Sequence, residues 1–176
     1  FGFPKVGMYQ LPASEVLGNV QVIDIGIPKS AQETVALELL TSRRVREIIP
    51  ARPQDANKGT FGRLLVVGGS TRYQGAPRLA ATAAYRAGAG LVTIAAPAAI
   101  IPALAAGLPE ATWLPLEDSA TGEIAELNVF VLRAEWHSYS AAVIGPGLSD
   151  TEATRALTWA TLPDAGLDLP HGVVID

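Results

Sequence analysis

Short apolar segments alternate with helix-like segments through most of the chain, and this alternation constrains the fold more than any other feature. The predicted strands are Leu64–Val67, Leu91–Ala95, Ala111–Leu114, Ala141–Ile144 and Val173–Ile175. Each is apolar at successive positions, as is typical of strands that are buried on both faces of a sheet. Strands separated by helices form parallel sheets through right-handed crossovers. We therefore predict an α/β protein, with a mostly parallel sheet and helices on both of its faces.

The segments between these strands predict the helices of the sheet. They are Pro77–Ala87, Ala98–Ala106, Leu127–Trp136 and Thr151–Leu162, the last capped by Ser149 or Asp150. The part of the chain before them has a different pattern. It predicts a strand at Val20–Pro28, capping-box spacing at Ser30–Glu33 before a further helix, a short helix at Ser42–Ile49 and a connector at Pro50–Gly59. A new unit is therefore expected to start near residue 50.

Composition and charge exclude several classes of function. The 176 residues carry 13 Lys and Arg against 17 Asp and Glu, and this net negative charge gives no general attraction to nucleic acid or to anionic membranes. The absence of cysteine excludes disulfide scaffolds, zinc-thiolate sites and cysteine nucleophiles. The longest apolar run, Thr93–Pro109, is shorter than the roughly 20 residues that a membrane-spanning helix needs. We expect a cytoplasmic protein with neither nucleic acid nor membrane as a partner.

The first glycine-rich loop follows the strand Leu64–Val67, in "GRLLVVGGSTRYQGAPRLAATAA". In an open parallel sheet, ligands bind beyond the carboxyl ends of the strands. Gly69 allows a close approach to the backbone, and Ser70 adds a hydroxyl. Gly75-Ala76-Pro77 begins the helix, with proline at its first position and with backbone amides that favour an anion. The spacing matches neither Gly-x-Gly-x-x-Gly nor the Walker loop, and a purely structural turn is the alternative interpretation.

A second loop of the same design strengthens the prediction of a binding site. Gly145-Pro146-Gly147 lies between an apolar strand and a helix. Two glycine loops at one edge of a sheet indicate a single cleft. In contrast, Gly88 and Gly90 follow a helix C-terminus, where left-handed backbone is common, and we interpret them as structural.

The other polar candidates carry weaker signals. Lys58, before the first strand of the sheet, is either a phosphate ligand or a solvated turn residue. Asp176 ends an apolar strand at the expected cleft, where capping of a following helix is an equal alternative. Glu110 is typical of a solvated carboxylate. His137 and His171 have no partners at metal-ligand spacing, so no metal site is predicted.

Four segments together carry a resemblance to a known family. They are "KGTFGRLLVVGGSTRYQGAPRLAATAAYRAGAGLVTIAAP", "LPEAT", "AVIGPGLS" and "VVID". Over residues 51–176 they resemble the first half of the NAD(P)H-hydrate dehydratase domain, a member of the ribokinase-like superfamily. Residues 1–29 resemble the end of the NAD(P)H-hydrate epimerase domain, which precedes the dehydratase in bifunctional bacterial enzymes, and residues 30–50 form a helical connector. The resemblance implies a fragment whose ribokinase-like fold is incomplete at the C-terminal end.

The resemblance also implies a chemistry. In this family, NAD(P)H that is hydrated at the nicotinamide ring is phosphorylated on the added hydroxyl by ADP, or by ATP in eukaryotic relatives, and loss of phosphate restores NAD(P)H. The residues implied to border the hydrated dinucleotide are Gly69, Ser70, Gly75, Ala76, Gly145 and Gly147, with Lys58 and Asp176 as further candidates. Pro77, which stands where a second alanine is common, is also a candidate binding residue. Mg²⁺, K⁺ for the epimerase domain and a homo-oligomer are implied as well.

One family motif is missing, and two alternatives stay open. The late Gly-x-Gly-Asp motif, whose aspartate acts as the base, does not occur in residues 1–176, so we assign no catalytic residue and expect this chain alone to be an incomplete catalyst. The alternatives are a small-molecule kinase of the same superfamily, acting on a sugar or a thiazole alcohol, and a catalytically silent nucleotide-binding module. The epimerase-like segment favours the dehydratase, because a cofactor-repair domain has no evident reason to be fused to a sugar kinase.

Overall fold

The chain divides into two units, residues 1–52 and residues 53–176, in the computed structural model. The structure describes residues 2–31, 37–49, 51–162 and 172–176. The first unit contains the helices α1 (Ala13–Val16) and α2 (Ser42–Ile48), with 3₁₀ turns at Val6–Met8 and Lys29–Ala31. None of the side chains described in this unit is buried.

The strand predicted at Val20–Pro28 does not form. These residues have no regular secondary structure, and Val22, Ile23 and Ile25 are all more than half exposed. A strand needs a neighbouring strand for its backbone N–H and C=O groups, and the described part of this unit contains none. The α2 prediction is confirmed to within one residue. Of the helix predicted after Ser30–Glu33, residues 32–36 lie outside the described residues, and residues 37–40 have no regular secondary structure.

Five parallel strands form the sheet of the second unit. They are β1 (Arg63–Val67), β2 (Leu91–Pro97), β3 (Thr112–Leu116), β4 (Ala141–Ile144) and β5 (Val173–Ile175). The order across the sheet is β3-β2-β1-β4-β5, and every pairing is parallel. The predicted parallel sheet is confirmed. The third strand runs two residues beyond its predicted end, through Pro115, because proline is tolerated on an edge strand.

Helices cover both faces of this sheet, as predicted. They are α3 (Gly75–Ala87), α4 (Ile101–Ala105), α5 (Val129–Glu135) and α6 (Glu152–Thr161). Val66 of β1 packs in one apolar cluster with residues of α3 and α4, and its neighbours Leu65 and Val67 pack in the other with residues of α5 and α6. In the described part of the chain, no helix has the length and hydropathy to cross a membrane.

The predicted place of Pro77 in α3 and the predicted cap of α6 both differ from the structure. The helix α3 begins at Gly75, so Pro77 is its third residue, where a missing N–H still costs no intrahelical bond. The helix α6 is capped by Thr151 and not by Ser149 or Asp150. A capping box joins Thr151 to Thr154, whose N–H donates to the Thr151 hydroxyl at 3.3 Å.

The segment before β1 crosses the start of β2 at the amino-terminal edge of the sheet. Gly90 N–H donates to the carbonyl oxygen of Phe61 at 3.3 Å, and Leu91 N–H donates to that of Gly62 at 3.2 Å. A Cβ atom on Gly90 would overlap the backbone carbonyl of Lys58. The interpretation of Gly90 as structural is therefore supported by close backbone packing, and Gly88 adopts the left-handed C-cap conformation of α3.

Replacing Gly90 with alanine tests this backbone packing. We expect Gly90→Ala to lower the free energy of unfolding by about 2 kcal/mol, because the new methyl group displaces main-chain atoms and not a mobile side chain. Gly75→Ala is the control, since a Cβ atom there meets nothing within 4 Å. Urea denaturation measures both variants, and equal midpoints for Gly90→Ala and the unmodified protein would contradict the packing.

Candidate functional site

Two glycine loops meet at the carboxyl-terminal edge of the sheet. We call residues 68–74, which follow β1, the first glycine loop, and residues 145–150, which follow β4, the second glycine loop. The two strands are neighbours in the sheet and run in the same direction. Gly145 N–H donates to the carbonyl oxygen of Val67 at 3.0 Å and continues the pairing beyond the strand ends. The predicted convergence of the loops is therefore present.

The two loops pack directly against each other through their glycines. Gly69 N–H donates to the carbonyl oxygen of Pro146 at 2.9 Å, and a Cβ atom on Gly68 would overlap that same oxygen. A Cβ atom on Gly147 would lie 2.6 Å from the carbonyl oxygen of Tyr73. Gly68 and Gly147 are therefore required by contact with the backbone of the neighbouring loop. From the sequence, the close approach of a ligand was the expected reason for such glycines.

Ser70 joins the loops through its side chain. The residue is 1% exposed. Its Oγ donates to the carbonyl oxygen of Gly147 at 3.0 Å and accepts a hydrogen bond from Tyr73 N–H at 3.2 Å. The hydroxyl that was expected to face a ligand makes two hydrogen bonds within the protein. Ser70 holds the two loops in place.

The start of α3 remains open beside this junction. Gly75 is exposed, and a Cβ atom there would meet nothing within 4 Å. Within the described residues, the N–H groups of Gly75 and Ala76 have no hydrogen-bond acceptor. Pro77 is buried, with its ring carbon Cγ 3.2 Å from the position of a Cβ atom on Gly69. Two backbone donors and the positive end of a 13-residue helix are thus available to an anion.

Asp176 lies beside the second glycine loop. Its N–H donates to the carbonyl oxygen of Ile144 at 2.9 Å, and its Cβ atom would lie 2.8 Å from a Cβ atom on Gly145. A depression of about 330 Å³ opens here between the ends of β4 and β5 and the side of α6. On its rim, Arg155 Nε donates to Asp150 at 2.7 Å, and this hydrogen bond and the positive charge lower the pKa of Asp150.

Other candidates lie at the opposite edge of the sheet. Lys58, Glu110 and His137 precede β1, β3 and β4 respectively, so they lie near the amino ends of these strands. A strand of five residues separates the two edges by about 16 Å. The structure therefore does not bring Lys58 to the glycine loops. His171 lies outside the described residues, and among those that are described no cluster of His, Asp or Glu could hold a metal ion.

Sequence reasoning missed three features of the site. Arg72 and Tyr73 are exposed in the first glycine loop, with the guanidinium carbon of Arg72 5.4 Å from the centre of the Tyr73 ring. A hairpin at residues 117–125 contacts the same loop through Gly122. The letters "TRY" and the turn signal "TG" in the sequence were the available clues, but contacts distant in sequence do not follow from them.

Comparison with known sequences points to one family. Residues 64–176 match the family model described as NAD(P)H-hydrate dehydratase. A bifunctional NAD(P)H-hydrate repair enzyme of Moorella thermoacetica is 38% identical over 165 residues, which cover 93% of this chain and 31% of that enzyme. An ADP-dependent (S)-NAD(P)H-hydrate dehydratase of Xanthomonas campestris is 40% identical over 133 residues, which cover 72% of this chain and 46% of that enzyme. The chain thus spans less than a third of the length of the bifunctional relative.

Solved structures share the fold. An ADP/ATP-dependent NAD(P)H-hydrate dehydratase of Bacillus subtilis, co-crystallised with ATP and Mg²⁺, is 27% identical with a TM-score of 0.55, over 77% of this chain and 50% of that chain. A ribokinase-like superfamily protein of Enterococcus faecalis is 27% identical with a TM-score of 0.58, over 70% of this chain and 40% of that chain. The predicted ribokinase-like α/β fold is confirmed.

Removal of the Ser70 hydroxyl tests the junction between the loops. We expect Ser70→Ala to lower the free energy of unfolding by about 1–3 kcal/mol, because the carbonyl of Gly147 loses its donor and Tyr73 N–H loses its acceptor. Amide hydrogen exchange should become faster in both glycine loops. Ser138→Ala, at an exposed serine, is the control. Faster exchange confined to the first loop would show that the hydroxyl does not couple the two.

Proposed function

The chain belongs to the NAD(P)H-hydrate dehydratase family, and from this premise we propose that it acts in the repair of hydrated nicotinamide cofactor. The proposed reaction returns (S)-NAD(P)H hydrate to NAD(P)H with a nucleotide as the phosphoryl donor. The observation that carries the proposal is the pair of joined glycine loops beside the open amides of Gly75 and Ala76. An anionic dinucleotide fits backbone donors at a helix start.

The reaction proceeds in two steps. The hydroxyl oxygen on the hydrated ring attacks the terminal phosphorus of ADP, its proton is removed, and AMP leaves. The carbon–oxygen bond of the new phosphate ester then breaks, phosphate leaves, and a proton lost from the neighbouring ring carbon restores the double bond. Phosphoryl transfer of this kind depends on positioning and on charge stabilisation, which backbone amides and a helix dipole provide. No residue of the chain is assigned as the base.

Gly75 and Ala76 donate hydrogen bonds to the dinucleotide phosphates in this proposal, and the two glycine loops form the floor of the site. Gly69, Ser70, Gly145 and Gly147 contribute by fixing that floor. Pro77 packs beneath Gly69 and has no N–H to donate. Asp176 borders the depression beside the second glycine loop.

The phosphoryl donor is ADP or ATP with Mg²⁺. The Xanthomonas relative is ADP-dependent, and the Bacillus subtilis relative was co-crystallised with ATP and Mg²⁺. Mg²⁺ in nucleotide sites is held largely by the phosphates and by water. The described residues form no cluster of three acidic or histidine side chains, so they do not constitute a Mg²⁺ site of their own, and we assign no ligand to the ion.

The first 29 residues form the end of an epimerase domain, and residues 30–50 connect it to the dehydratase domain at 51–176. The alignment with the Moorella thermoacetica enzyme covers 93% of the chain, so part of the segment before residue 51 also aligns with a bifunctional repair enzyme. From the family resemblance we also propose that the epimerase domain requires K⁺ and that the protein is a homo-oligomer. A sugar or thiazole-alcohol kinase is not favoured, because the matching family model and relatives are hydrate dehydratases and repair enzymes.

Turnover of the hydrated cofactor tests the proposed reaction. We expect the intact protein to restore the absorbance of the dihydronicotinamide from (S)-NADH hydrate only when ADP or ATP and Mg²⁺ are present. Equal turnover without nucleotide would contradict phosphorylation. Binding of nucleotide and hydrate without turnover would favour the silent module, and phosphorylation of a sugar or thiazole alcohol in place of the hydrate would favour the kinase.

A carboxylate at position 75 tests the phosphate contact. We expect Gly75→Asp to weaken binding of the hydrated cofactor at least about tenfold, equivalent to about 1.4 kcal/mol, because negative charge enters the anion site. Folding should be unaffected, since the position is open. The matched control is Gly88→Asp, which forces a side chain into left-handed backbone at φ 109° and should mainly lower Tm. Calorimetric titrations and thermal melts decide, and normal binding by Gly75→Asp would contradict the proposed site.

A further inference from the structure

A hairpin at residues 117–125 follows β3 at the same edge of the sheet as the glycine loops. Its two arms are joined by an antiparallel bridge between Asp118 and Ile124 and by the hydrogen bond from Ala125 N–H to the carbonyl oxygen of Glu117, at 3.0 Å. Ile124 is 1% exposed and belongs to the apolar cluster beneath α5 and α6. The hairpin is thus anchored in the core and not free at the surface.

Asn128 fixes the base of this hairpin. The residue is 1% exposed, and its Oδ1 accepts a hydrogen bond from Glu117 N–H at 2.8 Å. Its Nδ2 donates to the carbonyl oxygens of Glu117 at 3.0 Å and Ala125 at 2.7 Å. A buried amide with these partners rigidifies the backbone that it joins. Both arms of the hairpin are therefore held at one point.

The tip of the hairpin reaches the first glycine loop. Thr71 N–H donates to the carbonyl oxygen of Gly122 at 2.9 Å. A Cβ atom on Gly122 would overlap the Thr71 side chain, whose Oγ1 would be 2.5 Å away. Since β3 and β1 lie on either side of β2, this contact spans the end of the intervening strand. Thr71 is held by Gly122, while its neighbour Ser70 is held by Gly147.

We propose that the hairpin 117–125 is a positioning element of the ligand site, in which Gly122 holds Thr71 and so sets where the open amides of Gly75 and Ala76 lie. The first glycine loop is then fixed from two sides, by the second glycine loop and by the hairpin. Four residues separate Thr71 from Ala76, so a shift at Thr71 is transmitted to the start of α3. The identity of the ligand rests on the proposed function, whereas the contact between hairpin and loop does not.

Two alanine variants separate positioning from stability. Gly122→Ala and Gly62→Ala both place a methyl group in left-handed backbone, at φ 81° and 73° respectively. Gly62 is the control, because it lies at the opposite, amino-terminal edge of the sheet. A Cβ atom there would be 3.0 Å from Ser140 Oγ. Both should lower Tm, by about 4 °C or more. Only Gly122→Ala should weaken binding of (S)-NADH hydrate, by about fivefold in a calorimetric titration.

Rescue at the contact adds a readout that a purely structural role would not give. Thr71→Ala, combined with Gly122→Ala, removes the Oγ1 and Cγ2 atoms that the new methyl group meets. The double variant should recover most of the affinity and keep the lowered Tm, because the left-handed strain at position 122 remains. If the double variant recovers neither the binding affinity nor the original amide resonances of Gly75 and Ala76, the proposal is wrong.

A measurement without ligand tests the positioning role of the hairpin separately from the proposed reaction. In amide NMR spectra, the resonances of Gly75 and Ala76 should move in Gly122→Ala and return in the double variant, while Gly62→Ala leaves them in place. The same resonances in all variants would overturn the inference. Moved resonances in a protein that does not bind the hydrate would support the positioning role and would count against the proposed function alone.

Discussion

The hydrogen bond from Ser70 Oγ to the carbonyl oxygen of Gly147 is the contact on which the candidate site depends. It joins two loops that are 77 residues apart in sequence and that neighbouring parallel strands bring to one edge of the sheet. Beside it, Gly69 N–H donates to the carbonyl oxygen of Pro146, and a Cβ atom on Gly68 would overlap that same oxygen. Apart from the Ser70 hydroxyl, the contacts between the two loops are therefore made by main-chain atoms, whose positions follow from the neighbouring strands. That property suits a reaction in which the protein supplies position and partial charge and little covalent chemistry.

The sheet could be predicted from the sequence because its signals are local. Strands such as Ala141–Ile144 are continuous apolar runs bounded by turn residues, and their helices have clear periodicity. The prediction of a strand at Val20–Pro28 was wrong because strand pairing is not a local property. A segment with high β propensity still needs a partner strand, and none is present in the described part of that unit. The cap of α6 was also predicted at the wrong residue. Ser149, Asp150 and Thr151 can all cap a helix, and only the side-chain geometry shows that Thr151 does so.

The sequence predicted where the candidate site lies, but not which contacts its residues make. The glycine loops converge as expected, but sequence gives no means to decide whether a glycine accommodates a ligand or another backbone, and at Gly68 and Gly147 the contact is with backbone. Lys58 shows the same limit, because a residue close in sequence to β1 lies at the far edge when it precedes the strand. The contact between the hairpin and the first glycine loop could not be predicted, because Thr71 and Gly122 are separated in sequence by β2 and β3. The family resemblance was predicted from four segments taken together, because no single loop is specific enough to indicate the family.

The close approach of Gly147 to Ala76 links two regions of the gene that are otherwise far apart. A Cβ atom on Gly147 would lie 3.0 Å from the Cβ atom of Ala76 and 2.6 Å from the carbonyl oxygen of Tyr73, so position 147 has no room for a side chain while the start of α3 keeps its place. Position 147 is therefore expected to remain glycine during evolution wherever the start of α3 keeps this place. A chimaera with a crossover between α3 and β4 would inherit its two loops from different parents, and its compatibility would depend on this pair more than on overall sequence identity.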